Sequence, residues 1–301
     1  MNAMIFPGQG AQYAGMGKSL YDSFEKARGV FTAIDEVLGF KISDICFGGS
    51  EEELKNTRNQ QLAILTVSLA AFEVFKDTSA LDITYFSGLS LGEYTCLYAA
   101  GVLALSEVAR LVNVRAQAME DAAKLNPSTM LAVIGWNREQ LVAKEGLGFY
   151  VANINALTQI AVSVSAQKKA EVAEALTKEG AKVIELAVSG GFHSPFMAQA
   201  KAPLAEIIGS LDFQDAKIPI VSNVTAKAHT NAEEIKQNLV TQMVSPVLWN
   251  GCVNFMAQTG VDTFVETGPS RVLRGLMRKI NSQLKVINIE KKEDIENLTI
   301  S

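Results

Sequence analysis

Histidine and cysteine are scarce in this 301-residue chain, with two of the former and three of the latter. Among imidazoles, the search for a general base is therefore confined to His193 and His229. Cys46, Cys96 and Cys252 are too few and too far apart for a disulfide framework or a metal-ligand pattern, which suits a reducing cytosol. Basic residues are also short: 27 Lys and Arg against 32 Asp and Glu leave a formal charge of −5, which excludes the basic field of a nucleic-acid binder. No apolar run approaches the ~20 residues of a membrane span. The chain reaches Pro7 and Gly8 without a basic segment, so its start does not read as a secretory leader. Repeats and low-complexity tracts are missing as well. We expect a soluble, cytoplasmic, monomeric protein with neither nucleic acid nor membrane as a partner.

What is present centres on residues 82–101. A short apolar run, 83–86, ends in Gly88-Leu89-Ser90-Leu91-Gly92, and a helical pattern follows at once, closed by Gly101. Strand, tight turn and helix in this order form the layout of a nucleophile elbow. It would hold the Ser90 hydroxyl at a helix N-terminus, where free backbone N–H groups favour developing negative charge. A plain glycine-rich turn with an incidental serine is the alternative. A second strand, 3–6, ends in Pro7-Gly8-Gln9-Gly10-Ala11-Gln12. A dinucleotide fingerprint fails there at Tyr13, and a phosphate loop fails at Gln12. What remains is a turn whose N–H groups could hold an oxyanion, or an ordinary β-turn.

Helices are expected over 19–38, 62–75, 106–124, 233–243, 247–258 and 271–280. Ser50 and Glu53 have the spacing of a capping box, and Gln60 and Gln61 are either surface residues, the default, or buried or site-facing amides. In 106–124, Val108, Leu111, Val112, Ala118, Met119 and Ala122 form one apolar stripe, and Arg115 lies at its centre. A guanidinium there needs an anion, either a buried carboxylate of the protein or the carboxylate of a substrate. From Asn126 the texture shortens to strands 129–134, 149–154, 159–163 and 182–186 with helices 138–145 and 168–178. That order, βαββαβ, is the split-βαβ plan. Asn153 and Asn155 stand where a strand ends, which is a usual place for turn-forming asparagines. His193 follows Gly190-Gly191 and precedes Ser194-Pro195, so it is placed either over a cleft as the base for Ser90 or as a buried structural histidine. His229 is expected in an exposed polar turn, and residues 290–301 are expected to be loose. Strands are expected at 218–222 and 263–266. The basic face of Arg274, Arg278 and Lys279 is either simply solvated or meets an acidic partner.

Together these stretches resemble the malonyl-CoA:acyl carrier protein transacylases and the related acyltransferase domains of fatty acid and polyketide synthesis. The likeness runs from Phe6-Pro7-Gly8-Gln9-Gly10 through Gly88-Leu89-Ser90-Leu91-Gly92-Glu93, Arg115, Gly191-Phe192-His193-Ser194, Asn223-Val224 and Pro246-Val247-Leu248-Trp249 to Gly268-Pro269-Ser270-Arg271. It implies an α/β fold: a large α/β-hydrolase-like domain with a parallel sheet and a GxSxG nucleophile elbow (1–125 and 189–301), plus a small inserted ferredoxin-like α+β domain (126–188). It also implies ping-pong transfer of malonyl from malonyl-CoA to the phosphopantetheine thiol of acyl carrier protein. No cofactor enters, because the coenzyme A thioester is a substrate. By the same resemblance, Ser90 is the nucleophile, His193 the base, and the backbone N–H groups of Gln9 and Leu91 form the oxyanion hole. Gln242 orients His193 through its carbonyl, Arg115 binds the malonyl carboxylate, and Gln61, Phe192, Met119, Asn153 and Asn155 contact substrate.

Three positions depart from the family pattern: Leu89 stands where His is usual, Leu62 where Pro is usual, and Val164 where Gly is common after the 159–163 strand. Two other functions use the same residues differently. A carrier-clearing hydrolase would keep Ser90 and His193 but has no use for a buried clamp at Arg115. A catalytically silent carrier-docking module needs none of the three.

Overall fold

Residues 1–299 are described by a computed structural model. In chain order the strands are β1 (Asn2–Phe6), β2 (Ile83–Gly88), β3 (Ser128–Ile134), β4 (Phe149–Ala156), β5 (Gln159–Ser165), β6 (Lys182–Glu185), β7 (Ile220–Val221), β8 (Ala228–His229), β9 (Thr263–Thr267) and β10 (Lys285–Ile289). They form two sheets, β10-β9-β1-β2-β7-β8 and β4-β5-β3-β6. In the first, β10, β9, β1, β2 and β7 run parallel and only β8 turns back. Ala3, Met4, Ile5 and Phe6 are all fully buried, as expected of a central parallel strand covered on both faces. The mixed α/β architecture with a parallel sheet agrees with the sequence reading.

Parallel strands bring their C-terminal ends to one edge, and that geometry assembles the site. The chain order reverses at β1, with β2 on one side and β9 on the other, and crevices form at such switch points. Gln9 follows β1, Ser90 follows β2 and Asn223 follows β7. The backbone ties these ends together: Leu89 N–H donates to Phe6 C=O at 3.1 Å. Gly8 is required by this closeness, because a Cβ there would run into the Leu89 carbonyl.

Beside the sheet runs the helix Thr57–Thr78, with nearly every residue from Gln60 to Val74 buried. A helix apolar on all sides belongs inside a core. It starts five residues before the expected 62–75, because the Asn56 side chain caps it by accepting from Asn59 N–H. Gln60 and Gln61 therefore lie within the helix and are buried, not at the surface. The second sheet, 128–185, is antiparallel throughout, with helices Arg138–Val142 and Lys169–Lys178 in its connections. Val247, in the segment between β8 and β9, pairs with that sheet's strand β4, donating to Ala152 C=O and accepting from Ile154 N–H, each at 2.8 Å.

Several local expectations give way to packing. The 19–38 helix breaks at Phe24, whose backbone is extended, into Lys18–Ser23 and Glu25–Leu38. Val247 is taken by β4, so the helix after Pro246 begins only at Trp249. Val164 makes no turn but sits fully buried inside β5, paired with Thr129 and Phe149. Asn153 and Asn155 lie within β4, which bulges around them, and not in a turn after it. His229 belongs to β8 and is held by Thr225 and Glu234, its side chain 17% exposed. The stretch expected to be loose forms the helix Lys292–Thr299 with Ile295 buried, while residues 300–301 lie outside the described residues.

Candidate active site

The turn from β2 into the helix Leu91–Ala99 is too tight for side chains. A Cβ on Gly88 would strike the backbone of Gly92, and one on Gly92 the carbonyl of Phe6. Ser90 absorbs the turn with φ +53° and ψ −99°, a region that L-residues seldom visit. Such strain is worth on the order of 1–3 kcal/mol and must be held by neighbours. The neighbour here is Asn223: its Oδ1 accepts from Ser90 N–H at 2.7 Å, and its Nδ2 donates to Gly88 C=O at 2.7 Å.

His193 lies 103 positions further on, yet its Nε2 stands 2.7 Å from Ser90 Oγ. Its Nδ1 is 2.9 Å from the Gln242 carbonyl oxygen. A carbonyl only accepts, so Nδ1 carries the proton and Nε2 presents its lone pair to Ser90. Burial, with the Arg115 charge adding to it, brings the imidazole down to about 4. His193 is thus neutral at pH 7, the state a general base needs.

Arg115 is fully buried. Its guanidinium donates to Gln61 Oε1 at 2.5 Å, Ser90 Oγ at 3.0 Å and Gln242 Oε1 at 3.3 Å, and lies 4.6 Å from the centre of the Tyr94 ring. Among the described residues no carboxylate forms an ion pair with it. Of the two anions weighed for Arg115, the protein's own is not paired with it. Met119, on the same helix, accepts from Gln61 Nε2 at 3.4 Å, which keeps that amide's oxygen turned to the guanidinium.

A cavity of about 120 Å³ opens over Ser90, lined on one side by Gln9, Leu89, Phe192 and His193. The other side is Met130, Asn153, Asn155, Ala161, Leu186 and Val188 from the four-stranded sheet and its exit. Among the described residues the Oδ1 atoms of Asn153 and Asn155 are buried without a hydrogen-bond partner. The Gln9 side chain donates to Gln60 at 2.6 Å, and among the described residues neither Gln9 N–H nor Leu91 N–H donates to a protein acceptor. Ten of the eleven residues singled out in the sequence line this cavity or belong to the hydrogen-bonded shell behind it, and Leu91 directly follows Ser90 at the start of the helix. A larger cleft of about 530 Å³, beside Glu25, Glu73 and Tyr98, holds neither nucleophile nor base.

Three buried members escaped sequence reading as parts of the site: Glu93, Asn223 and Tyr94. Glu93 looked like an ordinary first-turn acid of a helix. Its one signal was that it sits on a helix otherwise devoid of charge, Leu91–Ala99. Among the described residues no group of three or more His, Cys, Asp or Glu could hold a metal ion, and no helix is long and apolar enough to cross a membrane.

Residues 3–300 match the family described as "Acyl transferase domain". The malonyl CoA-acyl carrier protein transacylase of Bacillus subtilis is 41% identical over 302 residues, covering 98% of this chain and 95% of that protein. The crystal structure of the malonyl-CoA:acyl carrier protein transacylase of Xanthomonas oryzae superposes with a TM-score of 0.95 at 34% identity, covering 99% of this chain and 97% of that one. A malonyl-transacylase solved in complex with its type II PKS acyl-carrier protein gives 0.93 at 31% identity, covering 99% of each chain. The likeness runs over almost the full length of the chain around a serine, its base and a buried cation at one oxygen, and the chain belongs to the acyl transferase domain family.

Proposed function

We propose that this chain moves malonyl from malonyl-CoA to the phosphopantetheine thiol of an acyl carrier protein, by way of an ester on Ser90. The observation that carries this reading is the surroundings of one oxygen: Ser90 Oγ has the His193 base at 2.7 Å and the Arg115 guanidinium at 3.0 Å. A buried cation beside the nucleophile selects an acyl group that brings its own carboxylate, which malonyl has and acetyl lacks.

In the first half-reaction Ser90 Oγ attacks the thioester carbonyl while His193 Nε2 takes its proton. The backbone N–H groups of Gln9 and Leu91 receive the oxyanion. Collapse breaks the carbon–sulfur bond, and the proton on His193 goes to the coenzyme A thiolate. In the second half, His193 takes the proton of the carrier thiol, the carrier sulfur attacks the ester carbonyl, the bond between the acyl carbon and Ser90 Oγ breaks, and the proton on His193 returns to Oγ. The Gln242 carbonyl stabilises the imidazolium at Nδ1–H, so no acidic third member is required. Gln61 and Met119 hold Arg115 in place, while Phe192 bounds the acyl group and Asn153 and Asn155 offer acceptors to the amides of the pantetheine arm. The scheme requires no cofactor.

In the same reading the Ser90 turn is a nucleophile elbow on a hydrolase-like domain of residues 1–125 and 189–301. Residues 126–188 are a ferredoxin-like insert, supported by the strand order β4-β5-β3-β6. The carrier is an acyl carrier protein, as in the names of the relatives, one of which was solved with a type II PKS carrier. Intact mass is the test. Mixing with malonyl-CoA is expected to leave a malonyl adduct on Ser90 that persists until holo carrier protein is added. Rapid loss to free malonate without carrier would make the protein a hydrolase, and absence of any adduct would refute the scheme.

A further inference from the structure

Glu93 is the buried ionisable group that the scheme above leaves unused. It occupies the third position of the helix Leu91–Ala99, where a glutamate ordinarily folds back to cap its own helix start. It does not do so here. It is 3% exposed, and its Oε2 accepts from Asn223 N–H at 3.1 Å and from Gln242 Nε2 at 2.7 Å. No cation forms an ion pair with it among the described residues. A buried carboxylate is a costly group to keep unless it orders something.

Two of the groups it grips are the ones that hold the reacting pair, and Ser222 is a further hydrogen-bond partner. Asn223 accepts the Ser90 N–H and so maintains the strained turn at the nucleophile. Gln242 presents the carbonyl that fixes the His193 proton on Nδ1. The Gln242 side chain also lies between Glu93 and Arg115, with Nε2 toward the carboxylate and Oε1 toward the guanidinium. An acceptor on one side and an obligate donor on the other leave this amide a single orientation.

We infer that Glu93 is the positioning residue of the site, holding the nucleophile through Asn223 and the base through Gln242 from a single carboxylate oxygen. It stands one residue behind each reacting group, where a Ser–His–acid triad places its acid directly on the histidine. Burial raises its carboxyl to about 7 against the pull of its hydrogen bonds and of Arg115. Oε2 can accept both bonds in either state, since the proton can reside on Oε1. A glutamine can therefore stand in for it, with its Oε1 in the accepting position, whereas alanine cannot.

This inference rests on the acyl-transfer reading, and single-turnover acylation of Ser90, followed by intact mass with malonyl-CoA and acetyl-CoA, separates the two. Wild-type protein that takes no malonyl defeats the transfer reading, whatever the variants do. Given wild-type acylation, Glu93→Ala is expected to slow both acyl groups alike by ~10²-fold, the scale of a misplaced reacting pair. The apparent affinity for malonyl-CoA stays within ~2-fold, because Gln61 and Tyr94 still hold Arg115. Glu93→Gln is expected to recover at least ~10-fold of the lost rate. A folded Glu93→Ala protein with an unchanged rate overturns the inference, as does a change confined to affinity or a Glu93→Gln variant no faster than Glu93→Ala. If Glu93→Ala does not fold, Glu93→Asp decides: its acceptor is withdrawn by one methylene, so slower acylation supports the inference and a wild-type rate overturns it.

Discussion

On the large-sheet side of the cavity most polar groups are tied to one another: Arg115 is held by Gln61 and Gln242, Gln242 by Glu93, and Ser90 N–H by Asn223, while Arg115 Nε and the Gln9 and Leu91 N–H groups have no protein partner among the described residues. On the small-sheet side Met130, Ala161, Leu186 and Val188 are apolar, and the two asparagine oxygens among them have no partner among the described residues. The difference follows from how each wall was built. The first is assembled from the C-terminal ends of parallel strands and a buried helix, so its buried polar groups are held in place by hydrogen bonds before any ligand arrives. The second is the face of an antiparallel sheet, where side chains alternate and isolated acceptors can await a ligand. In the proposed scheme the preorganised wall performs the chemistry and selects the acyl group, while the receptive wall takes the arm that carries it.

The largest expected effect strikes the first wall. Ser90→Ala should abolish the mass shift with every acyl-CoA while leaving the thermal melting temperature near wild type or above it, because the backbone strain at residue 90 is unchanged. A remaining adduct would move the nucleophile elsewhere.

Next in size is the response to acid. With His193 at about 4, about 90% of it is still neutral at pH 5, whereas an ordinary histidine would be about 3% neutral there. Acylation rates should therefore be nearly flat from pH 7 to 5 and fall about tenfold per unit only below 4. A rate that halves near pH 6.5 would show an imidazole less shielded than the geometry requires. Stability has the same sign. The unfolded histidine titrates near 6.5, so its contribution is full above that pH and is lost as the pH falls toward 4. Glu93, raised to about 7, acts oppositely: its contribution is present below 4.5 and is lost as the pH rises through 7.

The two walls also differ in how far they could be read from sequence. Ser90, His193 and Arg115 were legible because each breaks a local pattern: a serine between glycines, a rare histidine after Gly190-Gly191, a cation in an apolar stripe. The roles of Gln9, Leu91 and Gln242 came from the family likeness and not from spacing. Glu93 and Asn223 were not legible as site residues, since their partners lie 130 and more positions away and are chosen by tertiary packing. β8 escaped for a different reason: a two-residue strand is too short for periodicity to register. The charged C-terminal helix looked unstructured because its apolar face is short, with Ile295 its buried anchor.

The central claim is that acyl choice belongs to one wall and arm binding to the other. The most direct measurement is the ratio of malonyl to acetyl acylation rates at Ser90 in Arg115→Ala, set beside the same ratio in Asn153→Ala/Asn155→Ala. The expected result is that the Arg115 variant loses on the order of 10²-fold in the ratio with acetyl transfer spared, while the asparagine variant loses only ~10-fold in affinity and keeps its ratio. An unchanged ratio without Arg115, or a collapsed one without the asparagines, would contradict it.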